Sequence, residues 1–223
     1  MRTVTVGVVG ATGYAGAELS RRILAHPRLS LSAVTSRGRA GERLEAVFPA
    51  LHGYTDLSLE TFEPARLADL DVVCLATPHG AAAPLVTQLE AAGADRIVDL
   101  SADHRHALGW VYGMAEWNAE ELVGATRIAV PGCFATAISL SLAPFVATGT
   151  IAGPVQCVAA TGSTGSGATP SQTTHHPERL VNLKAYKVLT HQHTPEITAF
   201  LSELGHFDRL DFVPLSAPLD RGI

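Results

Sequence analysis

The stretch Thr3-Val4-Thr5-Val6-Gly7-Val8-Val9-Gly10-Ala11-Thr12-Gly13-Tyr14-Ala15-Gly16 decides the fold. Its first seven residues form a β-branched run of strand type, and residues 14–25 continue as a helix closed before Pro27. A GxxGxxG loop joins the two. Glycines there let the backbone turn tightly and approach a pyrophosphate, whose charge then meets the helix N-terminus. Gly10, Thr12, Gly13, Tyr14, Ala15 and Gly16 are therefore the expected dinucleotide contacts; the alternative is a purely structural strand-to-helix turn.

The pattern repeats outward from this unit. Residues 29–35, 71–77, 97–100 and 127–130 read as strands, and 80–92 and 133–147 as helices. Such alternation implies βαβ units, hence a Rossmann-type, doubly wound parallel α/β sheet over residues 1–148. Near 149–154 the texture changes. A strand at 155–161, a Gly/Ser-rich loop at 162–167, a strand at 183–190, a helix at 195–204 and a strand at 210–215 imply an α+β substrate/dimerisation domain over 149–223. Such a domain needs a larger sheet to bury its face, so it is expected to be incomplete, the front part of a longer protein.

Composition narrows the class. With 47% hydrophobic and 17% charged residues the chain is not disordered, and a net charge of −5 gives no footprint for nucleic acid or a membrane surface. Three widely spaced cysteines without a CxxC pair suit a reducing compartment, and no apolar run reaches the roughly 18 residues of a membrane span. A soluble, cytoplasmic enzyme is expected.

The second strand ends Ala33-Val34-Thr35-Ser36-Arg37-Gly38-Arg39, with no acid to accept ribose hydroxyls. Ser36, Arg37 and Arg39 suit a 2′-phosphate, so NADP is the expected cofactor; a solvated basic loop is the alternative. Thr77 and Pro78, after the third strand, border the same crevice. His79 beside them is either a helix cap or a ligand contact.

Val130-Pro131-Gly132-Cys133-Phe134-Ala135-Thr136 places a cysteine at a helix N-terminus, which favours a thiolate. Cys74 and Cys157, inside strands, read as core residues. A thiolate beside a nicotinamide suggests thioester chemistry, which needs an acid/base partner. His191 and His193, two apart at a strand end, lean the same way, and Glu196 in the next helical turn could orient an imidazole. A metal between the histidines, with His175 and His176 near, is the rival reading; so is a solvated or capping role. The expected site holds no metal. Gly165, in the 162–167 loop, would contribute to an anion nest on the cofactor, unless the loop is a linker. Arg179 is read as an exposed cation that binds a substrate carboxylate or forms a surface ion pair.

Together the segments Val8–Gly16, Thr35-Ser36-Arg37, Asp99-Leu100-Ser101-Ala102-Asp103, Pro131–Ala137 and Ala185-Tyr186-Lys187 with His191–Glu196 resemble the N-acetyl-gamma-glutamyl-phosphate reductases of arginine biosynthesis. The resemblance implies NADPH, a small acyl phosphate substrate, a semialdehyde product, Cys133 as nucleophile and His193 as leading acid/base, with His191 and Glu196 in support. It implies Ser163 near the substrate and a homo-oligomer, dimer or tetramer; Arg105, Arg179 and Tyr186 are further expected substrate contacts. His175-His176-Pro177-Glu178-Arg179 is more similar to the sister reductases of lysine biosynthesis, whose aminoadipyl phosphate is borne by a carrier protein. A non-catalytic truncated NADPH-binding chain is the alternative from another class.

Overall fold

A computed structural model describes residues 2–151 and 153–223. Two compact units divide it, Met1–Val130 and Pro131–Ile223. The helix that follows Gly132 thus belongs to the second unit, whereas the sequence reading set the break at 148. The reason is packing: that helix lies against another helix of the second unit.

In the first unit six strands form one parallel sheet: β1 (Val4–Val9), β2 (Leu29–Thr35), β3 (Val72–Leu75), β4 (Ile97–Asp99), β5 (Val111–Tyr112) and β6 (Arg127–Ala129). Their order is β2-β1-β3-β4-β6-β5, with every pairing parallel. Helices α1 (Tyr14–Leu24) and α2 (Ala83–Ala91) supply crossovers. Side-chain alternation fills both faces. Val9, Val73 and Leu75 join one core with Leu67, Leu70 and Leu89, while Val6, Val8 and Cys74 join the other with Ile23, Leu31 and Leu44. A sheet buried on both sides needs such nearly continuous apolar strands. From β1 the chain moves to one side for β2 and to the other for β3. The crevice outside the carboxyl ends of β1 and β3 is therefore the topological switch point.

The second unit has a mixed three-stranded sheet of β7 (Val155–Thr161), β8 (Lys184–Ala185) and β9 (Leu210–Ser216), ordered β7-β9-β8. β9 pairs parallel with β7 and antiparallel with β8. Helices α3 (Cys133–Ala147) and α4 (His193–Leu204) pack side by side. They run parallel, because glycines permit close approach at matching ends. A Cβ on Gly132, before α3, would strike the His193 ring that begins α4, and a Cβ on Gly205, after α4, would lie 2.8 Å from the Val146 carbonyl oxygen near the end of α3.

The expected strand at 183–190 is corrected to two residues. Lys187 and Leu189 adopt φ of 44° and 58°, the left-handed region, so the chain coils away from the sheet before His191. The backbone still leans on β9, since the Tyr186 and Leu189 N–H groups donate to the carbonyls of Pro214 and Phe212. The histidines consequently do not end a strand; His193 opens α4. Among the described residues no helix is long and apolar enough to cross a membrane.

Candidate active site

In the first unit the glycine loop is shaped for close backbone approach. Gly10 has φ of +83°, and a Cβ there would lie 2.6 Å from the Ala76 carbonyl oxygen. A Cβ on Gly16 would collide with the Gly10 carbonyl oxygen and lie 2.8 Å from the Ala11 Cα. Both obstacles are backbone, which cannot yield as a side-chain tip can. Gly13 caps α1 in an extended conformation, and the first turn of that helix carries no acid. Its N-terminal field therefore remains available to an anion. Thr12 is half-buried, with Tyr14 and Ala15 exposed at the helix start.

At the end of β2 the Ser36 hydroxyl lies 3.1 Å from the Thr12 hydroxyl, joining the two loops. Arg39 is drawn away by a two-point ion pair with Glu42, at 3.0 and 2.8 Å, so the expected pair of guanidiniums reduces to Arg37, which is exposed. Thr77 Oγ1, after β3, is buried and finds no hydrogen-bond partner among the described residues; Pro78 beside it is exposed. The residues thus fit a bound dinucleotide: two glycines that let the loop fold tightly against its own backbone, an uncompensated helix N-terminus, and a buried hydroxyl with spare capacity.

His79 is neither helix cap nor free side chain. Its Nδ1 accepts the Ala102 N–H at 3.0 Å. The cap is Asp103, whose carboxylate accepts the N–H groups of Gly80, Ala82 and Ala83 at 2.6, 2.9 and 3.4 Å. Burial raises the Asp103 pKa, but these donors outweigh it and hold the carboxyl below its usual range. Asp99, fully buried, accepts from Ser101 and lies 2.6 Å from His104 Nδ1. Arg105 is buried too. Its Nε donates to the Val130 carbonyl at 3.0 Å.

In the second unit Cys133 is the exposed first residue of α3. The imidazole of His193, the first residue of α4, fills the space a Gly132 side chain would need: a Cβ there would lie 2.6 Å from the ring's Cε1 and 2.8 Å from Cδ2. Glu196 is buried, and its Oε1 accepts the Gly132 N–H at 2.9 Å, a cross-link between the starts of the two helices. His191 is also buried. Its ring stands edge-on to Phe134, Tyr186 and Phe212, at centroid distances of 5.4, 5.7 and 5.3 Å. Its Nδ1 accepts the His193 N–H at 3.2 Å. Burial, with the charge of Lys187 adding, pulls its pKa below the ordinary histidine value.

Tyr186 is half-buried beside this group. Burial pushes its phenol pKa up, the charge of Cys133 adds to this, and that of Arg179 opposes it. Arg179 is not the exposed cation expected. It is 8% exposed, with Nε donating to Ser163 Oγ at 2.9 Å and Nη2 to the Thr161 carbonyl at 3.1 Å. Nor is the 162–167 loop an open nest. The Gly162, Ser163 and Thr164 amides donate to the carbonyls of Gly222, Leu219 and Asp220, which leaves Gly165 exposed on a short turn. Among the described residues no group of three or more His, Cys, Asp or Glu side chains could hold a metal ion.

Gly132 was assigned no role from sequence, yet it sets the spacing of the site. Its φ of −65° is open to any residue, so a glycine there signals close approach rather than a turn.

Comparison with known proteins agrees with this architecture. Residues 5–125 match the family described as "Semialdehyde dehydrogenase, NAD binding domain", and residues 133–223 match "Semialdehyde dehydrogenase, dimerisation domain". The chain is 42% identical over 237 residues to an N-acetyl-gamma-glutamyl-phosphate reductase of Salinispora arenicola, covering 99% of itself and 69% of that relative. It is 41% identical over 240 residues to a [LysW]-L-2-aminoadipate 6-phosphate reductase of Deinococcus radiodurans, covering 98% and 67%. Among solved structures, an aspartate semialdehyde dehydrogenase with NADP from Candida albicans matches with a TM-score of 0.68 at 15% identity, over 98% of this chain and 68% of that one. An aspartate semialdehyde dehydrogenase II of Vibrio cholerae matches at 0.70 and 12%, over 99% and 72%. These two show the shared fold.

Proposed function

Since the chain belongs to the semialdehyde dehydrogenase family, among the N-acetyl-gamma-glutamyl-phosphate reductases and their aminoadipate-phosphate sisters, we propose that it reduces N-acetyl-gamma-glutamyl phosphate to the semialdehyde, releasing phosphate. One observation carries the reading: the His193 imidazole occupies the side-chain space of Gly132, so that it stands at the residue preceding Cys133.

Cys133 begins α3, whose own first turn carries no acid, and a helix N-terminus favours an anionic sulfur. Cys133 Sγ attacks the acyl carbon, its proton passes to His193, and the carbon–oxygen bond to phosphate breaks. A thioester on Cys133 results. NADPH, when bound, supplies the hydride that reduces this thioester. His193 then steadies the oxygen of the thiohemiacetal on Cys133 with its proton, and collapse of that adduct releases aldehyde and restores the sulfur. Gly10, Gly13 and Gly16 with Thr12, Tyr14 and Ala15 would hold the cofactor pyrophosphate, Ser36 and Arg37 its 2′-phosphate, and Thr77 and Pro78 the crevice wall. Tyr186, Ser163 and Arg179 would flank the acyl chain. The domain named for dimerisation supports a homo-oligomer.

The reverse reaction tests this. Wild type should reduce NADP in the presence of semialdehyde and phosphate, and mass spectrometry should find an acyl group on Cys133. Cys133→Ala should abolish both while leaving NADPH binding intact; wild-type-like turnover by that variant refutes the mechanism. The sister reading has its own support in the segment His175-His176-Pro177-Glu178-Arg179, and preferential turnover of carrier-linked over free acyl phosphate would replace the present substrate by that one.

A further inference from the structure

An α-helix leaves the N–H groups of its first turn without intrahelical acceptors. In α4 these are the amides of His193 and Thr194, since the next residue, Pro195, has no N–H. His191 meets both. Its Nδ1 accepts the His193 N–H at 3.2 Å, and its carbonyl accepts the Thr194 N–H at 3.0 Å. The side chain thus bonds to the backbone two residues on, as Asn and Asp do in Asx-turns. It can do so only while Nδ1 carries no proton, and in a neutral ring this puts the proton on Nε2.

We infer that His191 is a positioning residue, the cap that holds His193 at the start of α4, and that it is not the proton donor. The enclosure fits that duty. Phe134, Tyr186 and Phe212 wall the ring on three sides at centroid distances of 5.3 to 5.7 Å, which fixes the direction of Nδ1. A second proton would set an N–H against the His193 N–H, at a helix end that already repels cations. Burial and Lys187 disfavour that proton as well. The two histidines therefore have different work: one ring faces Gly132, and the other is spent on the backbone of the first.

The inference rests on the Cys133–His193 reading, so the test uses a readout that does not need the substrate: alkylation of Cys133 by iodoacetamide in the full chain. His193→Ala checks the underlying reading; if it leaves the rate unchanged, that reading fails, whatever His191 does. His191→Asn keeps an acceptor at the Nδ1 position but cannot titrate, and His191→Leu removes the acceptor. The cap predicts that His191→Asn stays within about threefold of wild type while His191→Leu falls at least about tenfold, given that a misplacement of about 1 Å can cost roughly 100-fold. Equal losses in both variants would make His191 the acid/base, and no loss in His191→Leu would make the cap idle. Nitrogen-15 spectra of histidine-labelled wild type, assigned with His191→Asn, should show the Nε2–H tautomer at neutral pH even if His191→Leu does not fold. An Nδ1–H tautomer overturns the inference.

Discussion

Replacing Gly132 by alanine adds one methyl group at the contact between the two helix starts. The new Cβ would sit 2.6 Å from His193 Cε1 and 2.8 Å from Cδ2. Carbon atoms in contact prefer about 3.5–4.0 Å, so the ring or the start of α3 must shift by about 1 Å. The backbone itself raises no objection, since φ −65° and ψ 153° suit alanine. Lost freedom in the unfolded chain even stabilises the variant, by about 0.4–1 kcal/mol. Overpacking works against it by about 1–3 kcal/mol, which leaves a net loss of about 0–2.6 kcal/mol, centred near about 1.3 kcal/mol. For a chain of this size the central value lowers Tm by roughly 3–5 °C. Activity should suffer more. A 1 Å displacement of an acid/base costs about 100-fold, or about 2.7 kcal/mol of barrier. Thermal unfolding and the rate of NADP reduction should therefore part company, the protein staying folded at assay temperature with roughly 1% of its turnover. A double-mutant cycle identifies the cause. With His193→Ala already in place the ring is gone, and adding Gly132→Ala should cost no further stability. If the methyl group is as damaging there as in wild type, or if Gly132→Ala alone retains turnover, the ring is not what the glycine accommodates.

Two further outcomes follow from the first unit. Asp103→Asn should cost about 1–3 kcal/mol, because an amide cannot accept from Gly80, Ala82 and Ala83 as the carboxylate does. The native pKa of Asp103 lies below the ordinary 3.8, so its contribution is full above that value and is lost as pH falls through the lower native one; urea midpoints measured down the pH scale should show this acid limb in wild type and a flatter one in the variant. Arg37→Ala should raise KM for NADPH by roughly 10- to 100-fold, the worth of about 1.5–3 kcal/mol of charged hydrogen bonds, with little change for NADH. An equal rise for both cofactors would count against a 2′-phosphate contact.

The elements with a regular period were legible. β2, α3 and β7 fall on their expected residues, and β1, α1 and α4 within a few, because apolar periodicity and the proline and glycine stops are local signals. The reading failed where geometry is set from a distance. Residues 183–190 carry strand-like composition, yet Lys187 and Leu189 turn left-handed without a glycine to announce it. What holds that turn is the β9 backbone, more than twenty residues on, through the Phe212 and Pro214 carbonyls. Arg179 lies in a polar run and reads as surface; it is buried because Thr161 and Ser163 supply its acceptors. Polarity along the chain cannot report a partner folded over it.

The site illustrates the same division at shorter range. A cysteine after a glycine declares a helix start, and the sequence reading used it, whereas His193 reads as the end of a strand, two residues ahead of its helix. Their juxtaposition depends on α3 and α4 being parallel and close, which no spacing across sixty residues encodes. The clue was nonetheless present in the glycines that end the helices. Neither Gly132 nor Gly205 takes a left-handed φ, so neither is demanded by a turn. A glycine with ordinary dihedrals marks a place where another part of the chain comes within side-chain distance. Here the arrivals are the His193 ring at one end and the Val146 carbonyl at the other. Two such glycines permit the pair of helices to lie close at both ends. The His193 ring then stands at Gly132, the residue before Cys133, because His193 and Cys133 are each the first residue of their helix. The spacing of the candidate site thus depends on side chains that are absent as much as on those present.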